Sequence, residues 1–374
     1  MFTVRVIVFP DYREANPYQA LLYGGLDSRF EVRFMPWQTA LATPSSPWQP
    51  APIFHLHWED AVYRMEPSEE AAHHAAQTFL TSLEAYQERG GSMFWTVHNE
   101  QPHDGRYLQV HEALCAALST LANMVVVHHP SAMQFVQRRW GVDARRIAIV
   151  PHGNYQDVYA AAEPDRETRR IAAGYARNDR VLLLFGRLDS YKGVEDLLRE
   201  LGQLQDRRLH LIIAGKKVAP FDAALAALPA ETRARVTVRH DFVPAAEVPD
   251  LFDLADIVVA PYRAVLTSGT VMLAFSLGRP VLAPKLPGVL EWVRDGDDGL
   301  LYEQTAEGGL RSALERLMLL STDELLRLQR TALETARRHE WAVSHNLMQG
   351  LYAYRELQAR PPRLCSATDW YTLD

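Results

Sequence analysis

At 374 residues the chain exceeds what one hydrophobic core usually supports, so two domains are expected. Apolar residues make up 48% and the formal net charge is −7, a globular, mildly acidic balance that argues against a nucleic-acid partner, which would need a broad basic face. Cys115 and Cys365 are too few for a disulfide framework and no metal-ligand spacing surrounds them; no apolar run is long enough to span a bilayer, and a cytosolic protein is expected.

The opening stretch "MFTVRVIVFPDYRE" reads as a buried first strand rather than a leader. Further strands are expected at 30–35, 53–58, 92–98, 124–129 and 147–153, with helical periodicity between them at 69–89 and 107–122. Strands alternating with helices imply βαβ units and a parallel sheet covered on both faces. Segment 132–146, "AMQFVQRRWGVDARR", combines Phe135, Val136 and Trp140 with four arginines. It reads either as a half-buried helix or as a patch for peripheral membrane contact. The charge-dense stretch 159–180 then reads as a linker and the entry to a second unit.

The strand pattern restarts at 181–186, 209–215, 236–243, 256–262 and 280–284, with helices expected at 193–203, 221–229, 245–254, 269–277 and 288–294. Two more helices are expected near 306–320 and 322–337, and 341–359 has helical spacing of Leu347, Leu351, Tyr354 and Leu357. The expected architecture is α/β, with two Rossmann-like doubly wound domains facing across a cleft. The expected bounds are 1–158 and 159–340, with 341–374 a C-terminal helix packing back on the first domain.

Only four of the basic residues are lysines: Lys192, Lys216, Lys217 and Lys285. All follow apolar runs, as though strand ends delivered ammonium groups to one rim. In such sheets ligands bind outside the carboxyl ends of the strands, where helix N-termini present N–H groups. "FGRLDSYKG" therefore places Arg187, which can fork two phosphate oxygens, and Lys192, a point charge, where an anion would sit. Ser268, Gly269 and Thr270 open a later helix, and small residues there admit a phosphate close to the backbone.

Taken in order, "FGRLDSYKG", "APYRAVLTSG", "LGRPVLAP" and "DGDDGLLY" resemble the motifs of GT-B glycosyltransferases related to glycosyltransferase family 4. "FWTVHN" and "VPHGNY" in the first half resemble that family's strand ends. The resemblance implies a nucleotide-sugar donor held by the C-terminal domain and a glycan or lipid-linked acceptor met by the N-terminal domain. It implies no cofactor and no metal. Arg187, Lys192 and Lys217 would bind the diphosphate, Ser268, Gly269 and Thr270 would donate hydrogen bonds to it, and Glu291 would contact the donor. His98 would lie near the transferred sugar.

One departure stands out. The two positions where the family usually carries glutamates hold Val265 and Leu273. "GKK" at 215–217 and "TSG" are instead similar to β-mannosyltransferases that use GDP-mannose, which implies a GDP-sugar in preference to a UDP-sugar. Those enzymes invert the anomeric centre and need a general base. The candidates are His57, Glu59 and His98, with Glu100 and Asp11 as further carboxylates after strands. A sugar-nucleotide epimerase of the same architecture, a donor-binding subunit without turnover and a two-domain solute-binding protein are the alternative readings.

Overall fold

The computed structural model describes residues 3–43, 52–102, 104–159 and 165–354. They form two compact units: the described residues up to His152 together with those from Trp341 onward, and Gly153–Glu340. The chain changes unit at 152/153 instead of 158/159. Asn154 and Tyr155 already belong to the second unit: the Asn154 backbone N–H donates to the His339 carbonyl (2.8 Å), and the Tyr155 N–H donates to Ser276 Oγ (2.9 Å). Within the segment expected as linker, Arg166–Ala172 is a helix capped by Asp165.

The first unit holds six strands: β1 (Val4–Phe9), β2 (Phe30–Phe34), β3 (Ile53–His57), β4 (Ser92–Thr96), β5 (Met124–Val127) and β6 (Ile147–Ile149). Their order is β2-β1-β3-β4-β5-β6 and every pairing is parallel. β3 and β4 are buried at every position, as a sheet covered on both faces requires. The helix Trp341–Tyr354 joins this unit. It buries Ser344, Met348 and Tyr352, and its His345 Nε2 bonds the Leu21 carbonyl (2.8 Å).

The second unit repeats the pattern with β7 (Arg180–Phe185), β8 (Leu209–Ala214), β9 (Val236–Arg239), β10 (Ile257–Val259), β11 (Val281–Pro284) and β12 (Gly299–Tyr302). The order is β12-β11-β10-β7-β8-β9, again all parallel. β12 was not expected as a strand. Its four residues lie inside "DGDDGLLY", too short a run to stand out by periodicity. The helix expected at 221–229 stops at Ala226, and a second short one, Ala230–Arg233, opens after Pro229, a residue that cannot continue the first.

Segment 132–146 buries one face and leaves Arg138, Arg139 and Arg145 exposed. The helix Pro130–Trp140 buries Ala132, Val136 and Trp140, and Phe135 packs edge-on against Trp140 (5.2 Å). Arg146 turns inward to donate to the carbonyls of Ser119, Thr120 and Ala122. Among the described residues, no helix is long and apolar enough to cross a membrane.

Candidate active site

In the second unit the chain order reverses between β7 and β10, the switch point at which open α/β sheets bind ligands. Lys192 follows β7 there and Tyr262 follows β10. Two glycines let the loops close on each other. Gly193 has φ +69°, and a Cβ on it would lie 2.0 Å from the Pro261 carbonyl oxygen. Gly215, which ends β8, has φ +139°, and a Cβ there would strike the Gly186 carbonyl oxygen at 1.9 Å.

Lys192 is 5% exposed. Its ammonium donates to Thr270 Oγ1 (3.1 Å), Tyr262 Oη (3.4 Å) and the Phe185 carbonyl (3.4 Å). Among the described residues these partners are all neutral. Burial pulls its pKa down, but the charge interactions with the Tyr262 and Tyr191 hydroxyls outweigh it and leave the value above an ordinary lysine's, so the group is a cation at neutral pH. The buried Asp189 also favours the charge, but among the described residues no carboxylate pairs directly with the ammonium, and an anionic ligand at this spot would give it a charged hydrogen-bond partner.

Around it, Tyr262 Oη bonds Ser268 Oγ (2.7 Å), and Ser268 Oγ accepts from the Val271 N–H (3.2 Å) as N-cap of the helix Gly269–Ser276. Thr270 uses an oxygen lone pair for Lys192, so its own O–H remains a donor. Arg187 is held at its Nε by Asp189 (2.7 Å), which is itself buried, leaving the two Nη groups as the fork. These side chains make a cationic, hydroxyl-rich recess at a helix N-terminus.

Other sequence candidates stand apart from it. Lys217 is bonded to Asp222 and lies over the Phe221 ring (5.1 Å), although its backbone pairs beside Leu188. Lys285 pairs with Glu303 (2.7 Å) at the surface. Lys216 is exposed, and its carbonyl accepts from the Leu188 N–H (2.9 Å) next to Arg187; of the four lysines, Lys192 is the buried one. Glu291 sits exposed just past the short helix Pro287–Leu290. That helix starts close to the segment holding Val265, since a Cβ on Gly288 would lie 2.7 Å from the Val265 carbonyl oxygen. Leu273 is 7% exposed, on the helix that Gly269 begins.

The first unit gathers histidines at the carboxyl ends of its strands. His57 Nδ1 lies 2.9 Å from His98 Nε2, His98 stacks on Trp58 (4.1 Å, 11° between planes), and His128 lies 5.3 Å from His98 by ring centroids. Trp58 holds φ 37°, a left-handed conformation that costs a bulky residue energy and is found mainly where a site needs it. His128 Nδ1 faces the Val150 carbonyl (2.9 Å), so it carries the proton and donates. Nε2 keeps the lone pair, and among the described residues that buried atom has no partner.

Glu59 is not with these rings. Its carboxylate accepts from Trp95 Nε1 (3.0 Å), and Trp95 points to the opposite sheet face from Thr96, which bonds His55. On that side Glu59, His111 and Cys115 meet, all buried, with one potential ligand atom from each within 4.8 Å of the others. Helical spacing of His111 and Cys115 was the signal available in sequence. Ordinary hydrogen bonds already account for the imidazole: Tyr63 Oη is 3.1 Å from His111 Nδ1 and Cys115 Sγ 3.6 Å from Nε2. Burial raises Glu59 to about 7 and pulls His111 down. The cluster is consistent with a neutral network, and no ion is needed to explain it. Asp11 accepts three hydrogen bonds from Arg13, one from its backbone N–H (3.2 Å) and two from its guanidinium (2.9 and 2.8 Å), and burial raises Glu100.

Two parallel six-stranded sheets, with a cationic site at the switch point of the second, are the architecture of the GT-B fold. Residues 179–319 match the family described as glycosyl transferases group 1. The chain is 29% identical over 276 residues to a GDP-mannose:glycolipid 4-beta-D-mannosyltransferase of Xanthomonas campestris pv. campestris, covering 72% of this chain and 70% of that protein; the same enzyme from strain ATCC 33913 is 30% identical over the same coverage. A D-inositol 3-phosphate glycosyltransferase of Corynebacterium glutamicum is 28% identical, covering 62% of this chain and 57% of its own. Among solved structures, Anabaena HepE in complex with UDP and glucose superposes with a TM-score of 0.68, at 15% identity and coverage of 94% of this chain and 99% of that one. The chain belongs to the group 1 glycosyl transferases and has the GT-B fold; it is a glycosyltransferase.

Proposed function

We propose that this glycosyltransferase moves a mannosyl group from GDP-mannose to a hydroxyl of a glycan or lipid-linked acceptor, with inversion to a β-linkage. The observation that carries the donor reading is the buried Lys192 ammonium, which among the described residues donates only to neutral oxygens, those of Thr270, Tyr262 and the Phe185 carbonyl. A diphosphate would give the ammonium a directly bonded charged partner. The relatives at 29% and 30% identity are named for GDP-mannose and a glycolipid, which supports that donor and that class of acceptor.

In the proposed reaction the acceptor oxygen bonds the anomeric carbon while the bond from that carbon to the diphosphate breaks, its electron pair leaving on GDP. Lys192, Arg187, Thr270 and the N–H groups of Gly269 and Thr270 stabilise the charge that grows on the leaving group. His98, backed by His57, takes the hydroxyl proton. Inversion is favoured because apolar side chains, Val265 and Leu273, stand at both positions where retaining relatives carry carboxylates. The protein acts at the cytoplasmic side of whatever surface bears the acceptor.

Calorimetry with GDP and with UDP, followed by NMR of the product's anomeric proton, tests this reading. GDP is expected to bind more tightly and the product to be β-linked; tight UDP binding with an α-linked product would overturn both parts. Because the leaving group is neutralised by side chains and N–H groups, transfer is expected to continue in excess EDTA. Loss of turnover that magnesium or manganese restores would show that the recess alone does not neutralise the diphosphate.

A further inference from the structure

Four adjacent strands of the first sheet, β3, β4, β5 and β6, each bring a histidine to their carboxyl ends. His57 closes β3, His98 follows β4 by two residues, His128 comes directly after β5 and His152 follows β6 by three. Ring centroids are 5.2 Å apart for His57 and His98, 5.3 Å for His98 and His128, and 5.7 Å for His128 and His152. All four are buried. The Tyr18 ring packs against every one of them, at 5.0 to 5.9 Å.

In His128 a single contact fixes the proton. Nδ1 lies 2.9 Å from the Val150 carbonyl, an oxygen that can only accept, so Nδ1 carries a hydrogen. Burial brings the group down to about 3, so the ring is neutral near pH 7 and Nε2 holds a lone pair. His128 is 2% exposed, and among the described residues no donor reaches Nε2. Val150 follows β6, which pairs with one side of β5, while β4 pairs with the other. The two nitrogens of an imidazole point nearly opposite ways, so the lone pair points away from β6, to the flank on which β4 brings His98. Leaving a buried acceptor unmet is costly, and such a group calls for a partner. The fold uses the Nδ1 half of this imidazole; the Nε2 half is aimed at a ligand.

Resting on the transferase reading above, we propose that His128 is a substrate-binding residue: its Nε2 accepts a hydrogen bond from the acceptor-sugar hydroxyl next to the one that His98 deprotonates. Adjacent hydroxyls on a sugar ring lie about a hydrogen-bond length apart, a spacing that two imidazoles with centroids 5.3 Å apart can meet together. Recognition is selective, because a sugar lacking that hydroxyl leaves Nε2 unmet in a closed site. Tyr18 turns aside as the sugar enters, since its ring stands against both histidines.

Two substitutions divide the ring. His128→Asn keeps an N–H near the place of Nδ1, able to donate to Val150, and loses the acceptor at Nε2. His128→Gln puts its amide oxygen near the place of Nε2 and loses the donor to Val150. Transfer from GDP-mannose is measured with octyl α-mannoside and octyl β-glucoside as glycolipid mimics. The Asn variant is expected to lower kcat/KM for the glycoside roughly tenfold, and the Gln variant to keep most of it while lowering Tm. Nitrogen NMR of the histidine-labelled native chain gives a second readout, with the His128 Nε2 signal assigned from its loss in His128→Gln. That signal is expected to move when a glycoside is added. Unchanged kcat/KM in the Asn variant, an equal loss in both variants, or a signal moved by neither glycoside overturns the proposal. A signal moved by GDP-mannose, but by neither GDP nor the glycosides, assigns the hydroxyl to the transferred sugar and overturns the acceptor assignment. If the native chain makes no glycoside from GDP-mannose while the signal still answers to a glycoside, the mannosyl-transfer reading falls and the hydroxyl site stands.

Discussion

His98→Ala is expected to lower kcat by about two to four orders of magnitude, the usual contribution of a positioned general base, while leaving the calorimetric affinity for GDP-mannose within about twofold, as expected for a group acting on the acceptor proton in the transition state. The comparison that gives this its force is Glu59→Gln. Glu59 stands with His57 and His98 among the candidate bases read from the sequence. In the structure its carboxylate is bonded to Trp95 Nε1 on the other sheet face, among His111 and Cys115. The Gln amide oxygen can still accept from Trp95, so kcat is expected to change little. His57→Gln should fall between the two, because His57 acts through its hydrogen bond to His98. If Glu59→Gln abolishes turnover while His98→Ala spares it, the roles must be exchanged.

The residues that were legible in the sequence are those whose chemistry is local. β7 and the glycine-bounded turn after it are contiguous, so Arg187 and Lys192 could be placed at a strand end from their own neighbours. His57 and His98 likewise follow apolar runs. What the sequence did not disclose depends on packing between distant segments. His55 looks like a strand interior residue, and only Tyr23 and Tyr352, the latter 297 positions away, make it part of the hydrogen-bonded network that reaches His98. Tyr262 lay in a noted motif, but its contact with Lys192 spans 70 positions. For the lysines the limit is the converse one: Lys217 and Lys285 do follow strands, yet their ammonium groups pair with nearby Asp222 and Glu303. Sequence position fixed the strand end and could not fix the direction of a flexible side chain. At Glu59 the left-handed turn at Trp58 breaks the strand's two-residue period, so its place after a strand did not disclose which face it takes.

Lys192→Met is expected to have opposite effects on stability and on binding. In the ligand-free protein the substitution removes a buried charge whose partners, among the described residues, are neutral oxygens, and it keeps a side chain of similar length and volume. Replacing such a charge by an apolar group of similar shape is neutral or stabilising, so Tm without ligand should hold or rise. With the donor present the ammonium makes charge-assisted bonds to phosphate oxygens, each worth about 1.5–3 kcal/mol, so affinity for GDP-mannose should fall by roughly one to two orders of magnitude. The rise in Tm produced by GDP-mannose should shrink accordingly. Alanine would confuse the result, because the cavity it leaves beside Tyr191 and Tyr262 destabilises on its own account. A scan of Tm against donor concentration separates the two effects in one experiment. If Lys192→Met lowers the ligand-free Tm and leaves the donor-induced rise intact, Lys192 is a structural cation and the diphosphate binds elsewhere on the second unit.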